Sequence, residues 1–310
     1  MMRGLLATEP NRPPVLEDNV TEPKPGAGEL LVRVHAAGVI ATELGWYPTS
    51  HTKTGQVRSG AVLGHELSGV VEAVGEGVGR LEVGREVYGM NDWFCDGAMA
   101  EYCVTPFFAV APKPDRLTHV EAASVPISAL TAWQGLFDRA NLQPGEVVLV
   151  HGGAGSVGVF VVQLAKLHGA RVVATASAWN AGLVASLGAE RVIDYRGSRF
   201  EDEAGLVDVV FDTVGGETLG RSWGVLKPGG RMVTIVSEAE SSTDPRIQKA
   251  FFIVEPNQKQ LYEIAGMLDS GRLRTIVDSV RPLSQAPEAY TGVAPRQHRG
   301  KVVIAITNPN

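Results

Sequence analysis

The chain has 310 residues, a formal net charge of −6 and an apolar share of 44%. This length predicts about two domains, and the composition is that of a globular protein rather than a disordered or fibrous one. The mild acidity argues against a nucleic-acid-binding protein with a broad basic surface. With two cysteines, Cys95 and Cys103, neither a disulfide framework nor an all-cysteine zinc site can form.

The cysteine content and the absence of targeting signals favour a cytoplasmic protein. The N-terminal MMRGLLATEP lacks the apolar core of a signal peptide. No apolar run reaches the ~18 residues of a transmembrane helix. We therefore expect an enzyme with a small-molecule substrate and with neither a membrane nor a nucleic-acid partner.

The first 120 residues predict β structure. Apolar, β-branched runs at 30–39 and 66–75 indicate strands, and they are flanked by turn-rich connectors at 23–29 and 75–86. Short strands at this spacing are typical of a small barrel or sandwich. The last 39 residues, 272–310, return to the same pattern, so we expect them to join the N-terminal domain.

Residues 121–271 predict strands alternating with helices. The helices are expected in SVGVFVVQLAKLHG (156–169), where Gly169 can end the helix, and at 178–188 and 256–271. The strands are expected at 146–152, 171–177, 191–195, 207–214 and 231–236, with FFIVE (251–255) as a candidate sixth. This alternation predicts a doubly wound parallel sheet and hence the α/β fold class.

A glycine-rich loop follows the first of these strands and matches the pattern G-x-G-x-x-G. Gly153 would permit a tight turn, Gly155 a close approach to a pyrophosphate, and Gly158 close packing of the next helix. The N-terminus of that helix offers free N–H groups to phosphates. A plain strand-to-helix turn is the alternative. The predicted dinucleotide loop consists of Gly153, Ala154, Gly155, Ser156, Val157 and Gly158.

The end of the second strand favours NADP. An NAD-preferring fold places Asp or Glu about 20 residues after the glycines. Here Ser177 stands 19 residues after Gly158, and no acidic residue occurs between Gly158 and Glu190. Ser177 can donate a hydrogen bond to a 2′-phosphate. Tyr195 and Arg196, after the third strand, could add a hydroxyl and a positive charge, or could be ordinary surface residues.

Eight motifs are distributed along the chain. They are GHELSGVVEAVGEGV (64–78), DGAMAEYCV (96–104), SALTAWQGL (128–136), LVHGGAGSVGVFVVQLAK (149–166), SLGAERVIDYR (186–196), VDVVFDTVGGETL (207–219), VLKPGGRMVTI (225–235) and RGKVVI (299–304). Together they resemble the medium-chain dehydrogenase/reductase superfamily, and within it the zinc-independent NADPH:quinone oxidoreductase branch related to zeta-crystallin. The resemblance implies a GroES-like β-barrel catalytic domain from 1–120 and 272–310. It also implies a central Rossmann domain at 121–271, a cofactor cleft between the two, and a homodimer.

The resemblance also implies cofactor contacts outside the glycine loop. Thr131, Val214, Phe252 and Ile253 would lie along the bound nucleotide, with Thr131 near the nicotinamide and Phe252 and Ile253 beside its ring. Ser177 matches the serine of an S-x-x-K pattern for the 2′-phosphate. Asn180 replaces its lysine, which leaves Arg196 more of that task.

The sequence lacks the ligands of a catalytic zinc. Gly64, His65 and Glu66 match the GHE motif of zinc alcohol dehydrogenases, where the histidine binds zinc. That site needs three protein ligands, yet Ile40 replaces the first cysteine and the third falls at Ile127 or Ser128. We expect His65 to be a hydrogen-bonded residue beneath the cleft and not a ligand, with the His-Glu pair of the motif as a relic.

Without zinc, the chemistry that remains is hydride donation from NADPH to an electrophilic acceptor, a quinone or an α,β-unsaturated carbonyl. Thr42 matches the proton-relay hydroxyl of the zinc enzymes, and Tyr47 is a second candidate donor. Two alternatives stay open: a zinc-type alcohol dehydrogenase, and a non-catalytic NADPH-binding protein.

Overall fold

A computed structural model describes residues 1–9, 12–79, 81–292 and 297–307 of the chain. The chain divides into two compact units. The first unit is drawn from Met1–Ile127, Glu255–Gln297 and Lys301–Asn310, and the second from Ser128–Val254 and His298–Gly300.

The strands, numbered in chain order, are β1 (Met2–Ala7), β2 (Val15–Val20), β3 (Glu29–Gly38), β4 (Ala61–Val62), β5 (Glu66–Val74), β6 (Glu86–Met90), β7 (Tyr102–Pro106), β8 (Val110–Pro112), β9 (Val147–His151), β10 (Arg171–Ala176), β11 (Arg191–Asp194), β12 (Val207–Asp212), β13 (Leu226–Thr234), β14 (Val277–Pro282) and β15 (Lys301–Ala305).

The α-helices are α1 (Tyr47–Ser50), α2 (His119–Ala123), α3 (Pro126–Trp133), α4 (Gly158–Leu167), α5 (Ala181–Ser186), α6 (Phe200–Glu203), α7 (Gly216–Ser222), α8 (Pro245–Ala250), α9 (Gln258–Asp269) and α10 (Ala286–Thr291). A π-helical turn, Gln134–Arg139, continues α3. Short 3₁₀ turns occupy Ala41–Gly45, Phe107–Ala109, Ala178–Asn180, Trp223–Val225, Ser237–Ala239 and Leu283–Gln285.

The first unit is built around a seven-stranded sheet in the order β14-β15-β3-β5-β6-β8, in which β7 also pairs with β3. Its strand pairs are antiparallel except β14 with β15. A separate three-stranded sheet has the order β2-β1-β4. Strand β3 buries Leu30, Val32 and Val34 in the core of this unit. Because Ile304 pairs with Ala37, the end of the chain belongs to the same sheet as its N-terminal strands.

The second unit contains a five-stranded parallel sheet in the order β11-β10-β9-β12-β13. Strand β9 is central, and its Val148, Leu149 and Val150 are fully buried, as expected of a strand covered on both faces. The chain proceeds from β9 to one side through β10 and β11, and to the other side through β12 and β13. The predicted doubly wound sheet is thus confirmed, with its switch point after β9.

Two local predictions differ from the structure. Residues 251–255 do not form a sixth strand, because Phe251 makes only one isolated bridge, to Thr234. Strand β13 begins at Leu226, ahead of the predicted 231, so the KPGG turn lies inside it. No helix formed by the described residues is long and apolar enough to cross a membrane.

Helix α9 lies in the first unit, whereas the sequence pattern groups it with the strand-helix region 121–271. Its contacts explain the difference. The hydroxyl of Tyr88 donates to the carbonyl of Leu261 at 2.6 Å, and the side-chain amide of Gln258 donates to the carbonyl of Val110 at 2.7 Å. Amphipathic periodicity predicts a helix but does not tell which sheet the helix covers.

Candidate functional site

The predicted cofactor residues of the second unit gather at the carboxyl edge of its parallel sheet. The glycine loop follows β9, and Ser177 follows β10. Tyr195 and Arg196 follow β11, and Val214 comes shortly after β12. Open α/β sheets bind ligands at this edge, beside the switch point.

The tight turn of the glycine loop is at Gly152, one residue before the motif, with φ of +76°. The N–H of Gly155 donates to the carbonyl of Gly152 at 2.9 Å, so Gly153 lies inside this turn. Gly153 is also enclosed, because a Cβ there would lie 3.0 Å from the Cβ of Ala174. A Cβ on Gly158 would lie 2.1 Å from the carbonyl oxygen of Gly152, so only glycine lets α4 start here.

The start of α4 leaves backbone donors available. The N–H of Val159 is the first to bond within the turn, to the carbonyl of Gly155 at 3.1 Å. Among the described residues, the preceding N–H groups of Val157 and Gly158 donate to no acceptor. Free N–H groups at the start of a ten-residue helix favour an anion such as a pyrophosphate.

Asn180 cannot take over the phosphate contact of the lysine in the S-x-x-K pattern, because the Asn180 side chain points inward. It is 4% exposed, and its side-chain amide donates to the carbonyl of His298 at 3.1 Å. The same nitrogen lies 3.5 Å from the hydroxyl oxygen of Ser177. Asn180 therefore fixes the turn that carries Ser177 and offers no charge to a phosphate.

Tyr195 and Ser177 occupy neighbouring strand ends. The backbone N–H of Tyr195 donates to the carbonyl of Ala176 at 3.3 Å, and Tyr195 is exposed. The Arg196 guanidinium lies 5.6 Å from the centre of the Tyr195 ring. Within the described part of the chain, that guanidinium forms no ion pair with a carboxylate, so it can pair with an anionic ligand.

The remaining predicted cofactor residues differ in accessibility. Val214 is exposed, and its Cγ2 lies 3.4 Å from where a Cβ on Gly152 would be. Ile253 is exposed, whereas Phe252 is buried with the Arg139 guanidinium 5.5 Å from its ring centre. Thr131 is buried on α3. Val214 and Ile253 are therefore accessible to a ligand, whereas Thr131 and Phe252 are buried.

In the first unit, His65 pairs with Glu43 and not with Glu66. Its Nδ1 lies 2.6 Å from Oε2 of Glu43, a carboxylate with no solvent exposure. The N–H of Gly64 donates to the same carboxylate at 3.1 Å. The hydroxyl of Tyr290 also donates to this carboxylate. This group, the Glu43 cluster, consists of Glu43, Gly64, His65 and Tyr290.

Glu66 has a different partner. It forms a buried ion pair with Lys301 and accepts a hydrogen bond from the N–H of Ile127 at 3.0 Å. Burial raises the pKa of the Glu66 carboxyl, and the ammonium of Lys301 opposes that rise. His65 and Glu66, which are adjacent in the GHE motif, therefore have different partners.

The residues around His65 do not fit a catalytic zinc. Its Nε2 is buried and has no hydrogen-bond partner in the described structure. The other two ligand positions carry Ile40 and, at the third, Ile127 or Ser128, none of which supplies a thiolate or an imidazole. No group of three His, Cys, Asp or Glu residues within 1–9, 12–79, 81–292 and 297–307 is arranged to hold a metal ion.

The predicted catalytic residues lie in the segment that carries Glu43. Thr42 is exposed in the 3₁₀ turn, and Tyr47 is exposed at the start of α1. The Tyr47 ring stacks on that of His51, with centres 4.4 Å apart. In the same unit, the Trp93 ring lies 5.2 Å from the ring of the buried His65, centre to centre. The segment thus combines exposed hydroxyls with an aromatic surface.

Glu43 was not predicted as a site residue. Its only sequence signal is its place next to Thr42, and a glutamate in a polar turn normally faces water. The carboxylate is buried because it accepts from an N–H, an imidazole and a phenol, the last supplied by Tyr290, 247 positions away. Such a donor set can be recognised only in the folded chain.

Comparison with known families identifies the class of this protein. Residues 26–115 match the alcohol dehydrogenase GroES-like domain, and residues 187–304 match a family described as zinc-binding dehydrogenase. The chain belongs to the medium-chain dehydrogenase/reductase superfamily. Its fold is accordingly a GroES-like catalytic domain with a Rossmann domain.

Individual relatives cover nearly the whole chain. A probable zinc-binding oxidoreductase from Arthroderma benhamiae is 32% identical, covering 90% of this chain and 88% of the relative. The 2-methylene-furan-3-one reductase of Solanum lycopersicum is 34% identical, covering 93% and 74%. The NADPH-dependent alkenal/one oxidoreductase of Arabidopsis thaliana is 32% identical, covering 93% and 75%.

Solved structures agree with this family. The quinone oxidoreductase from Coxiella burnetii superimposes with a TM-score of 0.88 at 28% identity, covering 99% of both chains. A mycobacterial protein complexed with NADPH superimposes with a TM-score of 0.83 at 29% identity, covering 99% of this chain and all of the other.

Proposed function

We propose that this protein is an NADPH-dependent oxidoreductase that transfers a hydride to a quinone or an α,β-unsaturated carbonyl without zinc. One observation carries the cofactor proposal. The end of β10 presents Ser177 where an NAD-binding fold has a carboxylate, and Arg196 stands free of ion pairs in the described structure at the neighbouring strand end. Relatives named for NADPH-dependent enone reduction and for quinone reduction support the reaction class.

NADPH supplies the hydride when it is bound. The free N–H groups of Val157 and Gly158 would hold its pyrophosphate, and Ser177 and Arg196 would hold its 2′-phosphate. Residues around Val214 and Ile253 orient the nicotinamide half. The contribution of the chain to the rate is then positioning, exclusion of water and hydrogen-bond donation to the oxygen on which charge develops.

Thr42 and Tyr47 are the proposed donors to that oxygen. Both hydroxyls are exposed in one short segment, and that segment is held by the buried carboxylate of Glu43. Tyr47 and its stacking partner His51 also offer a flat aromatic surface, which suits a planar acceptor. Replacing Tyr47 by Phe keeps the ring and removes the hydroxyl, so a fall in kcat with little change in KM would mark a donor.

Binding measurements test the cofactor proposal. Titration calorimetry should give a lower Kd for NADPH than for NADH, and purified protein should reduce quinones or enones in the presence of a chelator. Equal affinities would contradict the NADP assignment. Activity strictly dependent on added zinc, with one zinc per chain by metal analysis, would instead support the alcohol dehydrogenase alternative that one relative's name suggests.

Turnover, oligomeric state and location can each be tested separately. A chain that binds NADPH tightly but turns over no quinone or enone would be a non-catalytic NADPH-binding protein. We also propose that the protein is cytoplasmic, which agrees with its low cysteine content. We further propose that it is a homodimer. Light scattering of the purified protein would test the dimer, and cell fractionation would test the location, since some relatives are named as mitochondrial or chloroplastic.

A further inference from the structure

Trp179 is more exposed than any other large apolar side chain among the described residues, at 86%. Exposure alone does not mark a site, because single apolar side chains are common on protein surfaces. The position of Trp179 in the fold is what distinguishes it. It lies in the short 3₁₀ turn Ala178–Asn180, which follows Ser177 at the end of β10.

The turn that carries Trp179 is fixed on its inner side. The backbone N–H of Asn180 donates to the carbonyl of Ser177 at 2.9 Å, and its side-chain amide donates to the carbonyl of His298 at 3.1 Å. Asn180 is buried, whereas Trp179 beside it is in solvent. The indole is therefore presented outward from a rigid turn, two residues from Ser177.

The neighbouring strand end carries the other half of this surface. The N–H of Tyr195 bonds to the carbonyl of Ala176, which places Tyr195 and Arg196 next to the start of the same turn. No acidic residue occurs between Gly158 and Glu190. The ends of β10 and β11 thus bring together an exposed indole, the hydroxyls of Ser177 and Tyr195, and the cation of Arg196.

We infer that Trp179 is the stacking surface for the adenine ring of NADPH. This inference rests on the proposed function, in which Ser177 and Arg196 hold the 2′-phosphate. Adenine is attached to C1′ of the same ribose, directly beside C2′, so a phosphate bound at Ser177 brings the base to the residues that follow Ser177. An indole offers the large flat face on which bases stack.

Trp179 and Arg196 then have separable tasks. Stacking on adenine strengthens binding of NADPH and NADH alike, whereas the cation acts only on the 2′-phosphate. The minimal probe is adenosine 2′,5′-bisphosphate, which contains the base and the 2′-phosphate but no nicotinamide. Loss of a base-stacking aromatic side chain weakens binding about tenfold or more.

The experiment compares wild type with W179A, W179F and a control, Y262A, which removes an exposed aromatic side chain from α9 in the first unit. Calorimetry with adenosine 2′,5′-bisphosphate should give a Kd raised about tenfold for W179A and less for W179F, and an unchanged Kd for Y262A. The probe should also quench tryptophan fluorescence in wild type, and that quenching should be lost in W179F. Circular dichroism checks that each variant is folded.

The outcomes separate this inference from the proposed function. Tight binding of the probe by wild type with an equal Kd for W179A would overturn the stacking role and leave the NADPH assignment intact. Failure of wild type to bind either the probe or NADPH would overturn the cofactor assignment, and the stacking role with it. A selective loss of NADPH affinity in W179A, with NADH affinity kept, would also overturn stacking.

Discussion

Nδ1 of His65 lies 2.6 Å from Oε2 of Glu43, and both side chains are buried in the first unit. Because a carboxylate only accepts hydrogen bonds, this contact places the proton on Nδ1 and leaves Nε2 as the acceptor in the neutral ring. Through this contact the histidine of the GHE motif anchors the turn that carries Thr42.

Replacing Glu43 by Gln should destabilise the protein by about 1–3 kcal/mol, because the new side-chain NH₂ would face buried donors that lose their acceptor. Urea unfolding followed by circular dichroism measures the change. The matched control is Glu72→Gln, which alters an exposed glutamate paired with Arg33 on the surface and should change stability little. A Glu43→Gln protein as stable as wild type would show that the cluster is not structural.

Gly158→Ala should disrupt the dinucleotide loop. The added methyl would lie 2.1 Å from the carbonyl oxygen of Gly152, so the loop must move, at a cost of about 1–3 kcal/mol in stability. NADPH affinity should fall at the same time, because the free N–H groups of Val157 and Gly158 are displaced.

Gly182→Ala is the matched control for this change. Gly182 lies inside α5, and no atom lies within 4 Å of a Cβ placed on it. Alanine there should stabilise the protein by about 0.5–1 kcal/mol and leave NADPH binding unchanged. Equal melting temperatures and NADPH affinities for the two variants would contradict the steric role of Gly158.

Arg196→Gln should reduce selectivity between the two nucleotides. A charge-assisted hydrogen bond to the 2′-phosphate contributes about 1.5–3 kcal/mol, so the Kd for NADPH should rise about tenfold or more while that for NADH stays the same. Arg199→Gln is the control, because Arg199 is exposed and paired with Glu201. A parallel loss of both nucleotides would mean that Arg196 acts on the fold and not on the phosphate.

Stability should fall as the pH drops from about 6.5 to about 4. Burial lowers the pKa of His151 to about 4, although nearby Asp212 opposes the shift. The folded chain therefore resists protonation that the unfolded chain accepts, so the unfolded state binds more protons across this interval. The contribution of His151 is fully present above pH 6.5 and is lost as the pH approaches 4.

His151→Gln should make unfolding less dependent on pH in that interval, at the cost of lower stability at pH 7. The imidazole Nε2 of His151 lies 2.9 Å from the hydroxyl of Ser222, a contact that Gln reproduces only in part. His168→Gln, at an exposed position, is the control and should keep the wild-type slope. Melting temperatures at pH 4.5 and pH 7.5 give the comparison, and an unchanged slope in His151→Gln would assign the acid sensitivity elsewhere.

Much of the second unit could be predicted because its signals are local. The buried run of β9, the glycine spacing and the helical periodicity of α4 all lie within a few residues of one another. Parallel strands then bring the ends of β10 and β11 to one edge, which unites Ser177 with Tyr195. Local patterns failed where they had to specify a partner, as for 251–255 and for α9.

The sequence by itself determined a parallel nucleotide-binding sheet, an edge without a carboxylate at Ser177 and the missing zinc cysteines, because each depends only on residue type and spacing. The tertiary structure alone decided that His65 bonds to Glu43, that Glu66 bonds to Lys301 and that Asn180 faces inward. Those outcomes depend on which polar groups meet away from water, since a buried charge or amide must find a partner wherever the fold supplies one.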